Sequence, residues 1–441
     1  MKYIFKILKL TLIAAAAVFM CLETSYAALP DIRTTLKIGL FYAESAQQSV
    51  NISSNGTLKC GYESNYAFVE DTELPQNNVN ITFDAEGNFL LGEGQTYSSE
   101  NNIAISSSDG IVYINGKPYR GAAELIKNSS GLINVINLIN LDDYVKGVIA
   151  SEMPSSWNIE ALKAQAVCAR NYAVTTLNKH SSDGFDLCAT DNCQVYGGVN
   201  AETQSTVLAA NETAGKFLMY NSSFAQTLFY SSNGGHTNNS KYVWGSDIPY
   251  LQAAVDPYET VENTPNYNWS VTFTKDEIKQ KLLSNGVDIG DIVNIEITNA
   301  TDYGQVLELK ITGSTGEKIY TNSSTRSVLG TSLKSQRYTV AKSGGQAPYI
   351  LSKNGLSNIF AGLFIIDGNK NIASAGSNMF VKTSSETEMY QAAASSYTFT
   401  GHGWGHGLGM SQYGAKAMAE AGNTYSQILS FYFKGCTIEG E

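Results

Sequence analysis

The sequence predicts an α+β fold: mixed, mostly antiparallel strands around a small group of helices, forming two lobes with a cleft. Three observations lead there. Alternating apolar and polar residues run through much of 36–120. A three-to-four apolar spacing is concentrated in the middle of the chain and near its end. Strand patterning returns over 292–312 and 338–400.

The first element is a leader over 1–27. Lys2, Lys6 and Lys9 make a positive start, Leu10 to Leu22 is an apolar run, and Ser25-Tyr26-Ala27 offers small residues for cleavage. Such a run spans about 20 Å as a helix, short of a hydrocarbon core of about 30 Å. A cleaved signal is therefore favoured over a membrane anchor, which would need Ile7 and Leu8 to extend the segment. Bulky Phe19 and Met20 argue against a lipoprotein signal at Cys21. On either reading the protein is expected outside the cytoplasm, secreted or held at the outer face of the membrane.

Residues 28–125 read as β-rich. Leu36 to Tyr42 alternates, and Ile111 to Ile114 runs into Asn115-Gly116, a tight-turn signal. A core region is expected over 126–340. An apolar run from 132 leads into a helix that Asp142 or Asp143 could cap. Pro154 stops it, and a second helix starts near Asn158 with Ile159, Leu162, Ala166, Ala169 and Ala173 on one face. Strands at 292–298 and 305–312 flank Asp302-Tyr303-Gly304, a hairpin. Residues 341–397 read as a β-rich insertion. The C-terminal part, 398–441, holds a helix over 413–421 that stops at Gly422-Asn423.

Composition narrows the function. Of 441 residues, 43% are hydrophobic, enough for real cores, while charged residues are 16% against the roughly 25% usual for soluble proteins. The net charge of −11 argues against nucleic acid, which needs a basic face. Without the leader, Cys60, Cys168, Cys188, Cys193 and Cys436 remain. An odd number cannot all pair within one chain, and a fold of this size does not need a disulfide framework.

Four places carry candidate chemistry. Glu152 ends an apolar helix just before the Pro154 break, where an apolar wall would raise its pKa toward general-acid use; helix-end pairing is the bland alternative. Arg170 lies among small apolar residues with Lys163 on the same face, and needs an acidic partner or a substrate oxygen. His180, Cys188 and Cys193 form a ligand set suited to tetrahedral zinc, with a Cys188–Cys193 disulfide as the competing reading. The most regular string is Gly401-His402-Gly403-Trp404-Gly405-His406-Gly407-Leu408-Gly409, followed by Met410, Ser411 and Gln412. In an extended chain its glycines would share one face. His402 and His406 would then stand about 13 Å apart, too far to chelate one ion. The string therefore reads as a site wall, with His402, Trp404, His406, Ser411 and Gln412 as substrate-binding residues.

Together Leu141–Trp157, Ala161–Ala173, Cys193–Gly197, Ser232–His236, Ile248–Leu251 and Gly401–Gly414 resemble the stage II sporulation protein D (SpoIID) family, in the family's order and over about 140–340 and 398–436. The resemblance implies a peptidoglycan lytic transglycosylase that cuts glycan strands stripped of their stem peptides by an amidase. It makes Glu152 catalytic and implicates Arg170, which would pair with Glu152 or hold a substrate carbonyl. It also implies zinc, read here as structural, at His180, Cys188 and Cys193 with water or Asp191 as fourth ligand, since Asn192 stands where family members often have His. Relatives of the amidase-enhancer (LytB) type carry the same domain, so a non-catalytic wall-binding role is the alternative.

Overall fold

The computed structural model describes residues 33–92, 94–98, 102–345 and 394–440, and the backbone of six short strands between 349 and 391. The leader expected over 1–27 lies outside the described residues. The fold is mixed α+β with mostly antiparallel strands, as the patterning predicts. Among the described residues no helix is long and apolar enough to cross a membrane.

The N-terminal strands form a seven-stranded and a six-stranded sheet. In the larger, Thr35–Phe41 pairs antiparallel with Ile133–Asn140, which pairs with Ala122–Lys127. Alternation does its work here: Leu36 and Ile38 point into the core. Asn115 and Gly116 both take positive φ, 48° and 78°, turning Ile111–Ile114 back onto Lys117–Arg120. The other edge of the larger sheet is Leu187–Cys188, parallel to Thr35–Phe41 with Gly39 opposite Cys188. That pairing fixes one candidate metal ligand to the sheet.

Helix α1 spans Leu141–Glu152 and α2 spans Ile159–Thr175. The α1 cap is Asn140, whose Oδ1 accepts the Asp142 N–H at 2.9 Å, rather than Asp142 or Asp143. The helix starts earlier than that expectation, at Leu141, so both aspartates fall in its first turn, where they favour the helix dipole. Asn158 caps α2 as predicted, and Leu162, Ala166, Ala169 and Ala173 are all fully buried. Helix α2 packs against α1, α3 (Gln204–Glu212) and the two C-terminal helices.

Among the described residues, three helices of eight or more residues escape the sequence reading: α3, α4 (Lys275–Ser284) and α6 (Tyr425–Tyr432), the last following α5 (Gln412–Glu420). Helix α4 buries only Ile278 and Leu282, too few to stand out as a stripe. Its capping box, Thr274 with Glu277, was a legible start signal.

Buried hydrophobics form two large clusters. One joins the N-terminal sheets to α1, α2, α3, α5 and α6; the other holds Trp269, Phe273, Ile278, Leu309, Tyr338 and Phe399. The stretch 126–340 thus contributes to both. Between 349 and 391 the strands pair as three antiparallel hairpins.

Candidate active site

Helix α1 ends at Glu152 for a local reason. Pro154 disfavours helical backbone at the residue before it, and Met153 is extended at φ −129° and ψ 141°. Glu152 is half-buried at this break. Its Oε1 accepts the Val195 N–H at 3.0 Å. The Gln412 amide donates to the Glu152 carbonyl oxygen at 3.1 Å, one of the carbonyls a helix end leaves unpaired. Burial pushes the Glu152 carboxyl above its ordinary value, the Val195 N–H and the Gln412 amide pull it back, and Asp191 pushes it up again. Beside it Trp157 meets Tyr413 edge to face, with ring centroids 5.0 Å apart. The C-terminal string therefore does reach Glu152, through Gln412 and Tyr413.

Arg170 is placed differently from the expectation. It is 0% exposed, and its guanidinium is bound to Asp142 at 2.8 Å and to the carbonyls of Lys216 and Ala210 at 3.3 and 3.4 Å. It pairs with Asp142 rather than Glu152, and no substrate carbonyl can reach it. The reason is helical spacing: Arg170 lies inside the buried stripe of α2, facing the start of α1 rather than its end. Lys163 pairs with Glu160 and Glu212.

His180, Cys188 and Cys193 come together as expected, their ligand atoms all within 4.8 Å of one another. Cys193 Sγ is 3.5 Å from His180 Nε2, and His180 Nδ1 is 3.6 Å from Asp183. All five described cysteines are free thiols, so Cys188 and Cys193 are not joined. Burial raises the Cys188 thiol, but hydrogen bonds from Thr190, Cys193 and Tyr42 outweigh it and bring it down to about 7. Two thiols and an imidazole converging from one loop, with a carboxylate beside the other ring nitrogen, fit a tetrahedral soft-metal site. The same loop carries Val195, two residues past Cys193, so whatever orders it also places the N–H that holds Glu152.

The glycine string is not an extended strand. Strand pairing stops at His402, and Gly403, Gly405, Gly407 and Gly409 all have positive φ. At Gly403 (φ 78°) an added Cβ would sit 2.7 Å from the Ser232 carbonyl oxygen. The alternation thus buys left-handed turns and close backbone approach to residues 228–238. His402 and Trp404 are exposed, and His402 Nδ1 is 2.7 Å from Asn268 Oδ1. Three members expected to bind substrate are engaged by protein: Gln412 by the Glu152 carbonyl, and His406 and Ser411 as follows. His406 Nδ1 accepts the Leu408 N–H at 3.0 Å while Nε2 faces the Phe229 carbonyl at 3.1 Å, and burial lowers its pKa to about 4. It is a neutral brace with both nitrogens occupied. Ser411 is fully buried and donates to Glu259 at 2.5 Å.

Glu259 went unread in the sequence. It is buried and accepts the N–H groups of Asn233 and Gly234 at 3.0 and 2.7 Å besides Ser411, tying Ser232–His236 to the C-terminal string. Nearby Asp256 accepts from Tyr432 and Asn233, both at 2.6 Å. An acidic pair in an otherwise charge-poor chain was the available signal. The Val195 contact uses a backbone N–H and left none.

Residues 129–220 match the family described as stage II sporulation protein, SpoIID. The amidase enhancer of Bacillus subtilis (strain 168) is 34% identical over 365 residues, 80% of this chain and 47% of that protein, so the chain spans about half of that relative. Stage II sporulation protein D of the same strain is 29% identical over 350 residues, 74% of this chain and 84% of that protein. Its Bacillus amyloliquefaciens counterpart is 29% identical over 343 residues, 72% of this chain and 82% of that protein. The matched segment contains α1, Glu152, α2 and all three converging thiol and imidazole ligands. Residues 129–220 thus carry a SpoIID domain, and similarity to its relatives runs over about three quarters of the chain.

Proposed function

We propose that this protein is a peptidoglycan lytic transglycosylase, cutting between N-acetylmuramic acid and N-acetylglucosamine in strands stripped of stem peptides. The observation that carries the reading is Glu152: a half-buried carboxyl with a raised pKa, held by the Val195 N–H and joined to the C-terminal string by Gln412. Protonated Glu152 gives its proton to the glycosidic oxygen, which leaves as the C4 hydroxyl of N-acetylglucosamine. The carboxylate then takes the proton of the C6 hydroxyl of the same muramyl unit as O6 bonds to C1. The product is 1,6-anhydro-muramic acid and Glu152 is protonated again. Because the nucleophile is intramolecular, one carboxyl suffices, unlike in ordinary glycosidases with their paired acids.

The raised pKa sets a pH dependence. The free enzyme must hold the proton, so kcat/KM is expected to fall as pH rises through the Glu152 pKa, with a midpoint above the ordinary 4.5. A pH profile on purified denuded strands measures this; a midpoint at or below the ordinary value counts against the assignment.

The 34% identical relative named amidase enhancer supports a second reading, in which the protein binds the wall and stimulates an amidase without cutting glycan. Mass analysis of products from denuded wall separates the two. Anhydro-muramyl ends formed by this protein alone support cleavage; none, together with faster amidase release of peptides, supports the second. The relatives' names, amidase enhancer and stage II sporulation protein D, support a sporulation-related wall role for either reading, and we propose that it is played outside the cytoplasm.

His180, Cys188 and Cys193 would hold zinc, which when bound supplies a structural cross-link for the loop from Leu187 to Val195. Elemental analysis is expected to find about one zinc per chain. Chelation should lower the melting temperature before any effect on chemistry, and Cys193→Ser should mimic it. Metal-free protein that melts unchanged on chelator treatment refutes the site.

A further inference from the structure

Trp404 is 43% exposed, and Lys334 places its Nζ 4.6 Å from the centroid of the Trp404 ring. Both are held from behind. The Trp404 backbone exchanges two hydrogen bonds with Ser232, at 2.7 and 3.1 Å, and the Gly405 N–H is donated to the Lys334 carbonyl at 2.9 Å. The ammonium's protein partner is neutral, Asn266 Oδ1 at 2.8 Å. Among the described residues no carboxylate forms an ion pair with Lys334, nor with Arg326 or Arg337, which lie close enough to depress His406 and His402. In a chain of net charge −11, an exposed aromatic covered by an ammonium that has no carboxylate partner is a local exception. Backbone contacts link it to the segment that carries Gln412: Tyr413, next to Gln412, donates its N–H to Ser231, next to the Trp404 partner Ser232.

We infer that Lys334 and Trp404 form a subsite for a carboxylate-bearing sugar, with Lys334 reading the free lactyl carboxylate of peptide-stripped muramic acid. This rests on the glycan-strand reading above. With the Lys334 ammonium lying over one face of the ring, the exposed remainder of the indole receives the C–H face of a pyranose, and the ammonium pairs with the carboxylate. A stem peptide turns that carboxylate into a neutral amide, so one charge distinguishes stripped strands from intact ones. The anionic strand also approaches an acidic protein, and a cation at the contact offsets the repulsion.

The test measures binding in the Glu152→Gln background, so that no strand is cut. The probes are denuded glycan, the same glycan with its lactyl carboxylates converted to methylamides, and neutral chitin oligosaccharides. The parent is expected to prefer denuded glycan over both. Lys334→Gln should weaken that binding about tenfold and erase the preference, leaving chitin binding as before. Trp404→Ala should weaken all three. Lys334 is partly exposed, and an unchanged melting temperature controls for folding. A parent without preference, or a Lys334→Gln variant that keeps it, overturns the subsite. Failure of the parent enzyme, with Glu152 intact, to release anhydro products would sink the cleavage reading and leave the carboxylate preference standing, so the two are separable.

Discussion

Glu152→Gln is expected to reduce release of 1,6-anhydro-muramyl products from denuded glycan by about 10²–10⁴-fold, the range a positioned general acid contributes. That is about 3–5 kcal/mol of barrier. The substitution is nearly isosteric, and its amide oxygen can still accept the Val195 N–H, so the end of α1 and the Gln412 contact should persist. What is lost is the titratable proton, needed twice per turnover: once to give the leaving group its hydrogen and once to be recovered from the C6 hydroxyl. Mass analysis of soluble products beside a melting curve is sufficient. Unchanged turnover by a folded Glu152→Gln protein would remove the central assignment.

Arg170→Met is expected to be strongly destabilising, costing about 2–3 kcal/mol through the buried carbonyls it leaves unpaired. Among the described residues Arg170 is the largest fully enclosed side chain, and its removal leaves the carbonyls of Ala210 and Lys216 unpaired and takes the partner from the half-exposed Asp142 at the start of α1. The helix crossing that presents Glu152 loses its pin. Loss of activity should therefore follow loss of folded protein. In Arg170→Lys, turnover per folded molecule and the pH midpoint of kcat/KM should match wild type, while the melting temperature drops. A well-folded Arg170→Lys enzyme with a displaced pH midpoint would return Arg170 to the chemistry.

Local features of the site were legible. Pro154 stopping α1, Asn158 starting α2 and the buried face of α2 all follow from short-range sterics, capping and a 3.6-residue period. The converging set of His180, Cys188 and Cys193 was legible because its members lie within one loop. Reading failed where a regular string admitted two backbones. Alternating glycines suit an extended strand on paper, yet here they occupy left-handed turns packed against Ser232 and its neighbours. His406 was misread with them, since its buried, doubly bonded state depends on Phe229, far away in the chain.

By itself the sequence determined the mixed α+β class, the helix break beneath Glu152 and the ligand loop, because each rests on patterns within a turn or two of chain. Tertiary structure alone decided that Gln412 meets Glu152 across 260 residues, that Arg170 binds Asp142, and that Lys334 lies beside Trp404. Those contacts arise when separate segments pack onto shared cores, and the free energy that selects them comes from burying distant surfaces together, which no local window of sequence contains.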